Sequence, residues 1–261
     1  MTATSEDQGH RPGAVRQYPV PLIRPVPARP AARYRFSRVP LVAVIAQAVL
    51  LALLTATTGL GPVGWLAGMA YAAATGTILC LALHRRGRRS LAPADHVTLT
   101  RAMLVGCVTA IVADTVRSPA PTAPLVAISA VALALDAVDG QVARRTGTAS
   151  PLGARFDMEI DAFLILVLSV FAATSLGAWV LAIGAMRYAF VAASLPLPWL
   201  LAPLSPRMSR KVVAALQGIV LTVVAADLLP RSTEVTATGL ALAALVWSFG
   251  GDIVRLHRNR R

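Results

Sequence analysis

At 261 residues, 56% hydrophobic and 14% charged, with a mean hydropathy of +0.65, this chain lies outside the composition range of soluble globular domains. A formal charge of +13 would indicate nucleic acid in a soluble protein, yet here the basic residues fall at the ends of apolar runs, as membrane topology requires. Nucleic-acid binding is therefore excluded as the reason for the charge, and an all-α, polytopic membrane helical bundle is expected.

In chain order, residues 1 to 38 carry seven arginines and are broken by Pro12, Pro19, Pro21, Pro25, Pro27 and Pro30. Lacking the early apolar core of a signal peptide, they read as a disordered, basic cytoplasmic tail. Apolar runs of roughly 20 residues, the length that crosses a bilayer, then place spans near 41 to 59 and 63 to 83, a two-helix hairpin over 39 to 84. Gly64 and Gly68 within it have the GxxxG spacing that permits close helix packing. The run "HRRGRRSLAPADH" makes 85 to 96 a basic linker, interrupted by Gly87 and Pro93. Six more spans follow, near 97 to 114, 122 to 139, 158 to 176, 178 to 195, 212 to 229 and 235 to 254. They make a six-helix core over 97 to 256, followed by a basic tail over 257 to 261.

With the amino terminus inside, every large arginine group faces the cytoplasm, and only Arg117 and Arg231 fall in outer loops. Both termini are then cytoplasmic, and the inner face attracts anionic lipid headgroups at about 1 kcal/mol per basic residue. The proline-rich "LPLPWLLAPLSPRMSR" is too broken for a straight span and is expected along the inner surface, with Trp199 at headgroup level. Cys80 and Cys107 fall in different spans with neither metal nor disulfide spacing, which leaves them as small packing residues.

The exception to the apolar pattern is "LDAVDGQVARRTGTASPLGARFDMEID", Leu135 to Asp161. Asp136, Asp139, Gly140 and Ala143 stand at i, i+3, i+4 and i+7, a single helical stripe; Gly153, Asp157 and Asp161 stand at i, i+4 and i+8, a stripe on the next helix. The turn "RTGTASPL" makes the two helices antiparallel neighbours, so the stripes can face each other and gather four carboxylates at the cytoplasmic end. Like charges so close need compensation. Only oxygen donors are offered, so Mg²⁺ or Mn²⁺, one ion or two, is expected rather than Zn²⁺. A pair of such ions clamps the oxygens of a phosphoryl or pyrophosphoryl group. Gly140, Ala143 and Gly153 let backbone and substrate approach closely, and Arg144, one residue off the stripe, is placed to contact phosphate. Solvation alone would account for a single interfacial Asp but not for four in phase.

Glu159 is out of phase with that stripe, and solvation or an arginine partner is expected for it. Arg187 lies within a span, where charge is expensive. Arg207, Arg210 and Lys211 cluster where the fifth core helix starts. Together these four are candidates for binding an anionic acceptor; the plainer readings are snorkelling or a carboxylate partner for Arg187 and inside-positive topology for the rest.

Asp136 to Asp161 reads DxxDGxxARx8Gx3Dx3D without mismatch, and so resembles the hallmark of the CDP-alcohol phosphotransferases, integral membrane enzymes of phospholipid synthesis. "PADHVTLTR" (93 to 101) is similar to the start of that family's first helix, usually Pro-Asn and later Thr-Arg; here Asp95 replaces the Asn. The resemblance covers about 93 to 256 and implies a six-helix core to which the two front helices are extra. It implies Asp136, Asp139 and Asp157 as metal ligands, and Asp161 as a further ligand or as the general base that takes the acceptor hydroxyl's proton. Gly140, Ala143, Arg144 and Gly153 would line the CDP site. The acceptor oxygen then attacks the phosphorus bonded to the lipid alcohol and CMP leaves, with placement and polarisation outweighing the base's pKa.

The implied reaction is phosphatidyl transfer from a CDP-linked lipid donor, CDP-diacylglycerol first, to a small polar acceptor such as glycerol phosphate or inositol phosphate. "RKVVAALQ" resembles the Lys-rich entry followed by Gln in bacterial phosphatidylglycerol-phosphate synthases, which favours an alcohol-phosphate acceptor; a bacterial plasma membrane, with the site on the cytoplasmic side, is the expected location. One alternative is a choline- or ethanolamine-type phosphotransferase acting on diacylglycerol, which "ARRTGTASPLG" resembles, although "FDMEID" lacks the His those enzymes carry. A cation transporter using the carboxylates is the alternative from another class. For the front helices three roles stay open: packing on the core, supporting a homodimer, or shaping a lipid entrance.

Overall fold

The computed structural model describes residues 39 to 85, 93 to 115, 122 to 146, 151 to 202 and 208 to 258, with side chains except at 39 to 41, 82 to 85, 93 to 95, 139 to 146, 151 and 152. The expected tail over 1 to 38, residues 86 to 92 of the expected linker and residues 259 to 261 lie outside this set.

Apolar chain in a bilayer has no water to satisfy its peptide groups, so it must satisfy them internally, as helix. The described residues are accordingly all helix and connection: α1 (Val39–Thr58), α2 (Pro62–Arg85), α3 (Pro93–Asp114), α4 (Thr122–Thr146), α5 (Pro151–Leu176), α6 (Leu181–Ser194), α7 (Met208–Ala225) and α8 (Arg231–Arg258). Short 3-10 turns occupy Ala178–Val180 and Pro198–Leu201. Pro62, Pro93 and Pro151 each stand at a first helical position, where the missing N–H costs nothing. Among the described residues, five helices are long and apolar enough to cross a membrane alone, and Val42–Thr58, Thr122–Val138 and Ala178–Ser194 are apolar but shorter. The chain is an integral membrane protein.

Helix boundaries differ from the apolar windows in an informative way. α4 was expected to stop at 139 and runs to Thr146; α5 was expected from 158 and starts at Pro151. Hydropathy marks what lipid surrounds, whereas backbone hydrogen bonding continues through Gln, Ala and Arg, which are good helix formers. The acids therefore stand inside helices, held by regular backbone. In the proline-broken segment before α7, Trp199 lies on the Pro198–Leu201 turn with its ring edge-on to His257 of α8, centroids 5.6 Å apart.

α3 is the hub. It packs against α1, α2, α4 and α5, while α5 also meets α6 and α7, and α7 meets α4 and α8. The front helices are joined to this hub at both levels of the seam. At the far end Asp114, the last residue of α3, accepts hydrogen bonds from the backbone N–H of Gly61 (2.9 Å) and of Gly64 (3.3 Å). A carboxylate from one helix thus caps the positive end of another. Further along, buried Gln47 of α1 donates to Cys107 Sγ of α3 at 3.6 Å. Cys107 is buried and, like Cys80, unbridged.

The GxxxG pair is spent within the chain. A Cβ on Gly64 would lie 2.5 Å from Leu60 Cδ1 and 2.8 Å from the backbone oxygen of Ala110, and one on Gly68 would lie 3.2 Å from Ala110 Cβ. Of the three roles left open for the front helices, packing on the core is thus one the chain carries out. Gly64→Leu is expected to destabilise by about 1–3 kcal/mol through overpacking. Gly239→Ala in α8, where nothing lies within 4 Å, should be neutral or gain up to about 1 kcal/mol. Thermal unfolding in detergent reads both; equal melting of Gly64→Leu and wild type would contradict the close α2–α3 approach.

Candidate active site

The acidic stripes meet a residue from a third helix. Arg101 of α3 is 1% exposed, and its Nε donates to the backbone oxygen of Ala132 at 3.2 Å. Ala132 precedes Asp136 on α4 by one turn, so this bond sets the guanidinium against the acidic stripe. Arg101 Nη1 lies 3.0 Å from Asp136 Oδ1 and also donates to Asp157 Oδ1, while Nη2 donates to Asp161 Oδ1. The i, i+4 spacing of Asp157 and Asp161 puts both on one side of α5, within reach of a single planar fork. One side chain joins three helices.

Oxygens of Asp136, Asp157 and Asp161 lie within 4.8 Å of one another. The three carboxylate side chains keep 41%, 26% and 34% of their surface. Arg101 closes the cluster from behind, and the acids remain open in front. Among these four groups, three carboxylates against one guanidinium sum to a formal charge of −2. A site of this kind attracts a cation, and its oxygens lie close enough together to share one.

Gly153 stands in the first turn of α5, partly buried and one turn before Asp157, in phase with it as the spacing predicts. The side chains of Asp139, Gly140, Ala143 and Arg144, and the whole of Arg207, lie outside the described residues. Arg187 of α6 pairs with Glu159 of α5, Nη2 donating to Oε1 and Nε to Oε2 at 3.3 Å. Glu159 has the arginine partner its phase suggested, and that partner is one of the acceptor candidates. Arg210, at the start of α7, lies 3.6 Å from Asp252 of α8, a buried acid that Arg255 approaches at 3.4 Å. Lys211 is exposed.

Sequence reasoning missed Arg101. Its signal was present twice: as the last residue of "PADHVTLTR", and as a charge deficit, since a cluster of acids between apolar helices needs positive charge. The oxygen-only donor set points to metal as the answer to that deficit, and a guanidinium serves the same electrostatic end.

The family model for CDP-alcohol phosphatidyltransferase matches residues 91–249. The chain belongs to this family. The match takes in Arg101 and every acid of the cluster, whereas α1 and α2 precede it. No curated protein and no solved structure matches the chain. Membership makes it one of a family of membrane transferases of phospholipid synthesis that move a phosphatidyl group from a CDP-alcohol. The family commonly uses divalent metal, and the donor set here fits a hard ion. It offers carboxylate oxygens only, all within 4.8 Å of one another, the hard donors Mg²⁺ and Mn²⁺ prefer.

Proposed function

We propose that the chain transfers a phosphatidyl group from CDP-diacylglycerol to the hydroxyl of a small polar acceptor, an alcohol phosphate such as glycerol phosphate or inositol phosphate, releasing CMP. What carries the reading is the family's acidic motif gathered on a buried guanidinium and open on one side. Asp136, Asp157 and Asp161, with Asp139, would hold one or two ions of Mg²⁺ or Mn²⁺, and bound metal supplies charge neutralisation on the pyrophosphate. Asp161 takes the acceptor proton as the new P–O bond forms and the bond to CMP breaks. Gly140, Ala143, Arg144 and Gly153 line the CDP site. Residues 97 to 256 are the catalytic core, 39 to 84 an added hairpin and 85 to 96 the linker; the site faces the cytoplasm of a bacterial cell.

An anionic acceptor would be drawn to Arg187, Arg207, Arg210 and Lys211. The Arg187–Glu159 pair is exposed, and pairs of that kind contribute about 0–1 kcal/mol, so an incoming phosphate can compete for the guanidinium. Purified protein in detergent, given CDP-diacylglycerol, is expected to release CMP with an alcohol phosphate, to stop with EDTA and to resume with Mg²⁺ or Mn²⁺. Turnover of CDP-choline with diacylglycerol instead would select the choline-type alternative, and ion flux without nucleotide would select the transporter.

A further inference from the structure

Arg101 meets the acids from a side closed to solvent. Its side chain is 1% exposed, whereas those of Asp136, Asp157 and Asp161 are partly open. Nε is fixed to the backbone oxygen of Ala132, Nη1 serves Asp136 and Asp157, and Nη2 serves Asp161. Ala102 beside Arg101, Ala132 and Ile160 beside Asp161 are all buried, so charge here acts through a medium that screens it poorly. A fixed positive charge in that position has two effects on any cation drawn to the same carboxylates. It repels that cation at short range. It also polarises the carboxylates towards itself, so that they donate less to an ion and more of the ion's charge is left for a pyrophosphate.

Resting on the reading that these acids hold a divalent ion, we propose that Arg101 is a positioning residue that weakens their hold on it. The guanidinium stays protonated at every working pH, so the attenuation is permanent. A purely structural strut has the opposite signature: without it the acids separate, and the ion binds less well.

Mn²⁺ reports the difference without turnover, through the loss of its free-ion electron paramagnetic resonance signal when purified protein in detergent is titrated. The ion of the cluster is the one whose affinity falls in Asp157→Asn. Arg101→Gln is expected to lower the Kd for that ion about tenfold or more, because it removes a nearby like charge. Arg101→Lys, which keeps the charge and loses the planar fork, should stay within about threefold of wild type. Weaker Mn²⁺ binding by either variant, or an unchanged Kd in Arg101→Gln, would overturn the proposal while leaving metal-dependent CMP release by wild type intact. Should Arg101→Gln not fold, Arg101→Lys still decides: wild-type affinity supports control by charge, and weaker affinity refutes it. Wild type that neither holds Mn²⁺ at the cluster nor loses CMP release in EDTA would overturn this proposal and the metal reading together.

Discussion

Asp161→Asn is expected to lower CMP release by about a hundredfold or more, the usual loss when a positioned general base is removed, with the fold retained. Asn has nearly the shape of Asp, and its amide oxygen can still accept from Arg101 Nη2. Arg101 also keeps Asp136 and Asp157. The substitution therefore removes charge and proton affinity without opening a cavity. The measurement is kcat at saturating donor and acceptor, beside a melting curve. Asp157→Asn supplies the contrast: in its proposed role of metal ligand without proton transfer, it should show an increased metal requirement and partial recovery of kcat at high Mg²⁺. Asp161→Asn, which also gives up a proposed ligand oxygen, shares the increased metal requirement, but its kcat should stay low at saturating Mg²⁺ because the base is gone. A kcat for Asp161→Asn equal to wild type would remove the general base from the mechanism.

Arg101→Met is expected to cost about 3–5 kcal/mol of stability, because it leaves partly buried carboxylates facing one another without their central partner. The side chain is fully buried and ties α3 to α4 and α5, so few substitutions should affect more of the molecule. Arg101→Lys keeps the charge but not the planar fork that bonds two acids at once, and should fall between. Mg²⁺ gives a second readout. Replacing one cation by another, it should raise the melting temperature of Arg101→Met more than that of wild type, since binding to the folded state adds stability by mass action. A variant as stable as wild type, with no added response to Mg²⁺, would show that the carboxylates do not gather on this residue.

Much of this architecture is legible in the chain itself, for a physical reason. A bilayer permits only structures that satisfy their own backbone, so long apolar runs translate almost directly into helices. Asp157 and Asp161 share a face of α5 because 3.6 residues per turn leaves no other arrangement, and with Asp136 they meet as their spacing predicts. The ends of α4 and α5 were less legible, since hydropathy reports the surrounding solvent and helix persistence reports backbone bonding.

What the sequence by itself determined was therefore local: which stretches are helical, which acids share a stripe, and the motif that marks the family. Tertiary structure alone decided the non-local partners. Arg101 meets Asp157 and Asp161 from 56 and 60 residues away, Asp114 caps α2 across 53, and Tyr71 of the added hairpin stacks on Phe163 of α5. Periodicity says which face of a helix a residue occupies; which helix that face will meet depends on how the whole bundle packs.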